Sequence, residues 1–134
     1  MPTIVTTVTV NRFPQLIERM RRQVEDAVEE TAKEIEHRIK LGMMEPHSGR
    51  WYGKHRASAP GEMPAAETGN LVNSIQTDPD GDATWAVWTG VEYAVHLEYG
   101  APNANIAPRP FMRPATADAA DGFERRLRDL ESQL

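Results

Sequence analysis

Residues 42–69 read GMMEPHSGRWYGKHRASAPGEMPAAETG, and they separate two halves of the chain that carry regular hydrophobic patterns. This stretch follows neither the 3.6-residue period of a helix nor the two-residue period of a strand. Pro46, Pro60 and Pro64, together with several glycines, exclude any long regular element here. Loops of this length are uncommon inside compact domains and are usually either disordered or functional. We therefore interpret residues 42–67 as an extended arm that reaches a partner.

The central part of the arm concentrates cationic and aromatic side chains. They are Arg50, Trp51, Tyr52, Lys54, His55 and Arg56. Such residues can neutralise phosphates and stack on nucleic-acid bases, but arginine, tryptophan and tyrosine are also enriched at the energetic centres of protein–protein interfaces. Acidic faces of the same chain offer a partner for a basic arm. The pattern favours an interface with another subunit or partner, and a nucleic-acid-binding module is the alternative.

The arm is also too polar and too interrupted to form a core of its own. We therefore expect it to take a fixed shape only against a neighbouring copy or another protein component.

An amphipathic helix is predicted on the N-terminal side of the arm, over residues 12–41. Asn11 is a suitable N-cap, and Gly42 stands where a helix commonly ends. The apolar residues recur at spacings of three and four; they are Leu16, Ile17, Met20, Val24, Ala27, Val28, Ile35 and Ile39. Residues 3–10 alternate in polarity and are rich in β-branched side chains, which predicts a strand. The inward face of this strand would carry Ile4, Val8 and Val10.

Residues 68–100, on the C-terminal side of the arm, predict a short helix followed by strands. Thr68 is the expected cap of one or two helical turns. The inward residues of those turns would be Leu71, Val72 and Ile75. Residues 78–81 (DPDG) are typical of a turn, and the alternation over residues 83–90 predicts a strand.

The last third of the chain completes the predicted fold. Residues 91–100 fit a helix or a strand, because periodicity alone does not assign short apolar runs, and we favour a short helix that ends at Gly100. Residues 101–113 are predicted as an extended loop and residues 114–132 as a C-terminal helix. The elements together predict a single domain over residues 1–134 of the α+β class. A small, mostly antiparallel sheet would pack against the long N-terminal helix and the C-terminal helix.

Composition limits the function classes that fit this chain. Its 134 residues carry a formal net charge of -5, which argues against a dedicated nucleic-acid binder. The absence of cysteine excludes disulfides and thiol chemistry. The N-terminal residues lack the features of a signal peptide, and no apolar run approaches the about 20 residues that cross a bilayer. These features predict a soluble protein without a membrane partner.

The sequence shows no constellation of residues that would carry catalysis. The four histidines are His37, His47, His55 and His96, and no pair has the spacing that zinc hydrolases use. Ser58 lacks the neighbours that mark a nucleophile, and Glu92 and Glu98 are most simply read as surface charges. We therefore predict a protein that is not an enzyme and has no catalytic residues, no metal site and no cofactor.

Three blocks of sequence resemble the small neck and tail-completion proteins of tailed bacteriophages. The first block lies in residues 56–75 (RASAPGEMPA, then TGNL and SI), the second in residues 93–100 (YA, then EYG), and the third is residues 108–115 (PRPFMRPA). They follow the family's order with compatible spacing, and the resemblance extends over most of the chain, from the N-terminal helix to the final helix. Ala101 departs from the family, which often has threonine after the glycine. The motif residues are Pro60, Gly61, Thr68, Gly69, Leu71, Ser74, Tyr93, Ala94, Glu98, Gly100, Pro110, Phe111 and Pro114.

The resemblance implies a structural protein of the virion, located in the neck or tail and assembled in the host cytoplasm. It further implies a ring at the head–tail junction, with six copies as the expected number, which completes or caps the tail and joins it to the connector. The implied partners are other copies of the chain and the neighbouring head-connector and tail-tube proteins. DNA would pass through the lumen without specific binding. Within the motifs, Tyr93 and Phe111 are expected to pin the two extended segments onto the body.

Overall fold

A computed structural model describes residues 3–9, 14–66 and 69–133, with the backbone alone over residues 14–20. The predicted caps Asn11 and Thr68 lie outside the described residues, as does the inward position predicted for Val10.

The first helix, α1, spans Pro14–Met44 and passes through the glycine that was expected to end it. Gly42 lies inside the last turn, where an added Cβ would overlap the sulfur of Met63. The prediction of a helix stop at Gly42 is therefore wrong; the glycine lies where the Met63 side chain of the returning arm packs closely on the helix. One face of α1 forms the centre of the core; its buried residues are Val24, Ala27, Val28, Ala32, Ile35, Ile39 and Met43. Their spacing of three and four residues confirms the predicted amphipathic pattern.

A three-stranded antiparallel sheet packs against α1. It consists of β1 (Ile4–Thr9), β4 (Gln76–Pro79) and β5 (Thr84–Thr89), in the order β1-β5-β4. The predicted strands β1 and β5 are confirmed, with Val8 paired to Trp85. The turn predicted at residues 78–81 is shifted, because residues 76–79 form an edge strand and the turn follows it. Pro79 is tolerated there because it ends an edge strand, where the missing N–H costs no ladder bond.

The last helix, α4, spans Met112–Glu131 and packs on α1, so the sheet is covered on one side by two helices. It begins two residues before Pro114, which occupies the first turn, where proline is tolerated. Arg126 crosses between the two helices and donates a hydrogen bond of 2.8 Å from its Nη1 to the Thr31 hydroxyl. The α+β class and the packing of the sheet against two helices are as predicted.

Two short helices complete the fold: α2 (Asn70–Ser74) precedes β4, and α3 (Ala94–Tyr99) follows β5. The helix favoured over residues 91–100 is confirmed, and it ends at Gly100 with φ 79°. An added Cβ at Gly100 would lie 3.0 Å from both the Ile106 carbonyl oxygen and the Pro108 ring. Both the positive φ and these short contacts therefore favour glycine here. Residues 101–113 are less extended than predicted, since Pro102–Ala104 form a 3-10 turn closed by a bridge between Ala101 and Ile106.

Glu98 joins α3 to the start of α4 through a fully buried carboxylate. Its Oε1 accepts hydrogen bonds from the backbone N–H groups of Phe111 at 3.1 Å and Met112 at 2.7 Å. Its Oε2 accepts one from Arg113 Nε at 2.8 Å. The first N–H groups of a helix have no partner within that helix, and here a side chain from another helix supplies it. Glu98 is 0 % exposed, so the interpretation of this residue as a surface charge is wrong.

Replacing Glu98 by alanine is expected to lower the free energy of unfolding by about 3 kcal/mol, because buried N–H groups and the Arg113 guanidinium lose their acceptor. Urea unfolding followed by circular dichroism measures this difference. Glu98→Gln keeps an acceptor and should cost less than alanine. The exposed Glu92 supplies a matched control, since Glu92→Ala should stay within about 0.5 kcal/mol of the parent. Equal stability of the two alanine variants would contradict the capping role.

Candidate interaction site on the arm

The central part of the arm forms a β-hairpin. Strands β2 (Trp51–Tyr52) and β3 (His55–Arg56) pair antiparallel across a turn that contains Gly53, whose φ is 64°. Two further hydrogen bonds extend the ladder, from Gly49 N to the Ala57 carbonyl at 2.8 Å and from Ala57 N to the Arg50 carbonyl at 2.9 Å. Sequence reasoning missed this hairpin, although a two-residue turn with glycine between an aromatic pair and a second short segment is a recognisable signal.

The hairpin brings the predicted cationic and aromatic residues together at one exposed tip. Trp51 is 59 % exposed and Tyr52 56 %. The Arg56 guanidinium lies 5.3 Å from the centre of the Trp51 ring, and that of Arg50 lies 5.3 Å from the Tyr52 ring. Lys54 is also exposed, in the turn. The tip therefore presents two large apolar surfaces whose orientation is held by neighbouring cations.

Arg56 also holds the hairpin to the preceding chain. Its Nε donates to the Gly49 carbonyl and its Nη2 to the Ser48 carbonyl, each at 3.0 Å. Arg56 is thus a structural member of the tip, whereas Arg50, beside the Tyr52 ring, and Lys54 are exposed. His55, the sixth predicted residue, is half-buried and faces the cleft described below.

Glu62 closes the base of the arm. Its Oε1 accepts hydrogen bonds from the backbone N–H groups of Ala59 at 2.7 Å and Ser48 at 3.0 Å, and its Oε2 accepts one from the Ser48 hydroxyl at 2.8 Å. These bonds favour the ionised form, so the hydrogen bond from Ala59, followed by those from Ser48, lowers the pKa of Glu62 to about 2. The two strands leading into and out of the hairpin are therefore clamped by one carboxylate.

The return segment of the arm is attached to the body of the same chain. Arg109 donates from Nε and Nη2 to the Ser58 carbonyl, both at 3.3 Å. Gly61 N donates to the Pro108 carbonyl at 2.9 Å. The expectation that the arm has no fixed shape of its own is therefore wrong for its base. That expectation considered only the burial of apolar side chains. Hydrogen bonds to backbone carbonyls and from backbone N–H groups attach the base of the arm to the body.

The motif residues of the first block lie along this return segment and α2. Pro60 is exposed and Gly61 turns the chain with φ 89°. Gly69 precedes α2 with φ 81°, and Leu71 is buried. Ser74 ends α2, where its hydroxyl hydrogen-bonds the Leu71 carbonyl at 2.6 Å. These residues shape backbone turns and the core edge.

The remaining motif residues surround the start of α4. Phe111 is 0 % exposed and belongs to the hydrophobic core, as an anchor of the second extended segment would. Tyr93 is 47 % exposed at the rim of a cleft, and its role as an anchor stays a prediction. Ala94, the first residue of α3, is buried, and Pro110 is half-buried ahead of Phe111. Together with Glu98, Gly100 and Pro114, they make the junction that orients Arg109.

An open cleft of about 430 Å³ lies between the arm and the body. Met43, Leu71 and Leu97 supply apolar lining, and Tyr93 and Arg109 stand among its polar walls. Among the described residues, no group of three or more acidic and histidine side chains is placed to hold a metal ion. Within the same part of the chain, no helix has the length and apolarity needed to span a membrane. The chemistry that this surface offers is stacking, ion pairing and apolar contact.

Comparison of the chain with family models, with curated proteins and with solved structures finds no match. The functional interpretation therefore depends on the motif blocks and on the geometry of the arm.

Lowering the pH should release the clamp at the base of the arm. The folded-state pKa of Glu62, about 2, lies below its usual value of 4.5. The carboxylate thus contributes stability that is complete above about pH 4.5 and is lost as the pH falls towards 2. In NMR titrations, the amide resonances of Ser48 and Ala59 should move with a midpoint well below 4.5, and hairpin amides should lose exchange protection in the same range. Glu62→Gln is the control that removes the titration. A midpoint near 4.5 would contradict the clamp.

Proposed function

We propose that this chain is a non-enzymatic structural protein of a tailed-bacteriophage virion. It assembles as a homo-oligomeric ring at the head–tail junction, where it completes or caps the tail and joins it to the connector. The support comes from the three ordered motif blocks and from the arm, whose exposed tip has the residue types of an interaction site.

The exposed tip of the hairpin is the observation that carries this proposal. Trp51 and Tyr52 each leave more than half of their surface in solvent. Burying such a side chain contributes about 1.5–3 kcal/mol, and aromatic residues with neighbouring arginine are the commonest energetic centres of interfaces. The base of the arm is already hydrogen-bonded to the body, so docking of the tip does not have to order the arm.

A ring requires that one surface of each subunit meets a different surface of the next. The hairpin projects from the C-terminal end of α1 and is well suited to be one of these two surfaces. The interface occupied by the tip would therefore be repeated around the ring, with one tip for each contact. This arrangement explains why a small protein would carry a projecting element that its own core does not need.

Nucleic-acid binding by the tip is the alternative function. One observation makes it the weaker hypothesis: the Arg56 guanidinium is occupied by the Ser48 and Gly49 carbonyls and by the Trp51 ring. Few cations then remain for phosphates on a chain with net charge -5. DNA affinity that falls steeply with salt and disappears in Arg50→Gln with Lys54→Gln would favour the alternative.

Replacing Trp51 and Tyr52 together by serine should leave the fold intact and prevent joining of heads to tails. Two lost aromatic anchors are expected to weaken each contact by roughly 4 kcal/mol, or roughly a thousandfold. The measurement is the yield of joined, infectious particles when the variant replaces the parent chain in the phage or prophage that encodes it. Mass spectrometry of purified particles shows whether the chain is incorporated.

Tyr99→Ser is the matched control, because Tyr99 is also 59 % exposed and lies 4.7 Å beneath the Arg113 guanidinium, on α3 rather than on the arm. The control should give parental yield. A normal yield from the tip variant, or particles that lack the chain altogether, would contradict the proposed function.

A further inference from the structure

The outer face of the sheet is the second exposed surface with a composition suited to binding. The strand register places Val5, Thr7, Ala86 and Trp88 on the side opposite to α1 and α4. Val5 is 50 % exposed, and its direct cross-strand partner Trp88 is partly buried. Ala86 on the same face is buried, as is Val87 on the inner face of β5. The outer face therefore offers a small apolar surface built around one tryptophan.

Carboxylates border this surface. Asp78 lies on the outer face of β4 and accepts a hydrogen bond of 2.8 Å from the Trp88 indole N–H. Asp80 and Asp82 follow in the turn between β4 and β5, and both are exposed. Among the side chains that the structure describes, only Asp82 of these three forms an ion pair, with Arg21 at 3.2 Å. The eight outward positions of the three strands include no lysine or arginine.

The outer face and the hairpin tip are complementary in chemistry. The tip carries Arg50 and Lys54 beside two exposed aromatic rings, and the face carries Asp78 and Asp80 beside Trp88. Opposite charges at the border of an interface steer association and fix its register, and aromatic pairs add about 0.5–1.5 kcal/mol beyond the area that they bury. On the described part of α1, Glu29, Glu34 and Glu36 pair with lysine or arginine one turn away, and Glu30 pairs with Arg126 of α4. They are therefore less available to a basic partner.

The two surfaces are formed by different segments of one chain. The turn at Asp82 contacts Arg21 near the start of α1, whereas Thr77, next to Asp78 on β4, donates a hydrogen bond of 2.6 Å to Glu36, and the arm leaves the helix at Met44. Contact between the tip of one copy and the outer face of another would leave one free tip and one free face. Such a heterologous contact can be repeated until a ring closes.

We infer that the aromatic and cationic tip of one copy docks on the outer face of the sheet of a second copy. Trp51 and Tyr52 lie against Val5 and Trp88, and the cations of the tip pair with Asp78 and Asp80. This inference rests on the proposed function, because it names the surface that receives the tip between neighbouring subunits of the ring.

Charge reversal on each surface, separately and together, tests the contact in the purified full-length chain. Arg50→Glu with Lys54→Glu changes the tip, and Asp78→Lys with Asp80→Lys changes the face. Each pair is expected to raise the dissociation constant of self-association at low salt by at least about tenfold, measured by sedimentation velocity. An equimolar mixture of the two variants, or a chain that carries all four changes, should recover most of the parental association.

Asp129→Lys with Glu131→Lys is the matched control, because it makes the same charge change at the exposed end of α4 and should leave association near the parental value. Asp80→Lys alone, checked for folding by circular dichroism, keeps the test valid if the change at Asp78 disturbs the Trp88 hydrogen bond. Parental chains that do not self-associate, or reversals without effect or without mutual rescue, would overturn the inferred contact.

Assembly of particles distinguishes a failure of this inference from a failure of the proposed function. If the tip is needed for joined particles while reversal of Asp78 and Asp80 is harmless, the proposed function stands and the docking surface is wrong. If the charge exchange behaves as expected in solution but the chain is missing from virions, the contact stands and the proposed function fails.

Discussion

The buried carboxylate of Glu98 is the constraint on which the rest of this structure depends. It binds the N–H groups at the start of α4 and the Arg113 guanidinium, which offsets the cost of removing a charge from water. The same bonds fix the chain immediately before α4, where Phe111 enters the core and Arg109 reaches the Ser58 carbonyl. The orientation of the arm thus depends on a helix cap that is more than 50 residues away from Ser58 in sequence. The two motif blocks that seemed separate in the sequence are the two halves of one polar junction.

This junction divides the arm into two physically different parts. The base is held by hydrogen bonds from Glu62 and Arg109 and belongs to the body, whereas the tip exposes aromatic rings that the body does not cover. A rigid base presents the tip in a defined position, which lowers the entropy lost on association. Assembly would then depend on complementary surfaces rather than on folding of the arm against its neighbour.

Local patterns predicted the elements that depend on local chemistry. The sequence predicted the apolar spacing in α1, the alternation in β1 and β5, and the end of α3 at Gly100. Each of these features reflects burial or backbone freedom within a few residues. The role of Glu98 could not be predicted from the sequence. Its hydrogen-bond partners lie 13–15 residues away and become its neighbours only when α3 meets α4. The turn predicted at Pro79 was misplaced. Proline is typical of turns, but it is also tolerated in an edge strand such as β4. The hairpin was missed because backbone hydrogen bonds, rather than apolar burial, hold it together.

Covalent footprinting of the arm in isolated chains and in assembled particles tests the central claim most directly. Hydroxyl-radical labelling followed by mass spectrometry reports the solvent exposure of Trp51 and Tyr52 separately from that of Met63 in the return segment. The account predicts strong protection of the two tip residues on assembly and unchanged labelling of Met63, whose segment is already attached to the body. Equal labelling of the tip in both states would show that the hairpin is not an interface. Protection that spreads through the whole arm would show that its base also folds only on a partner.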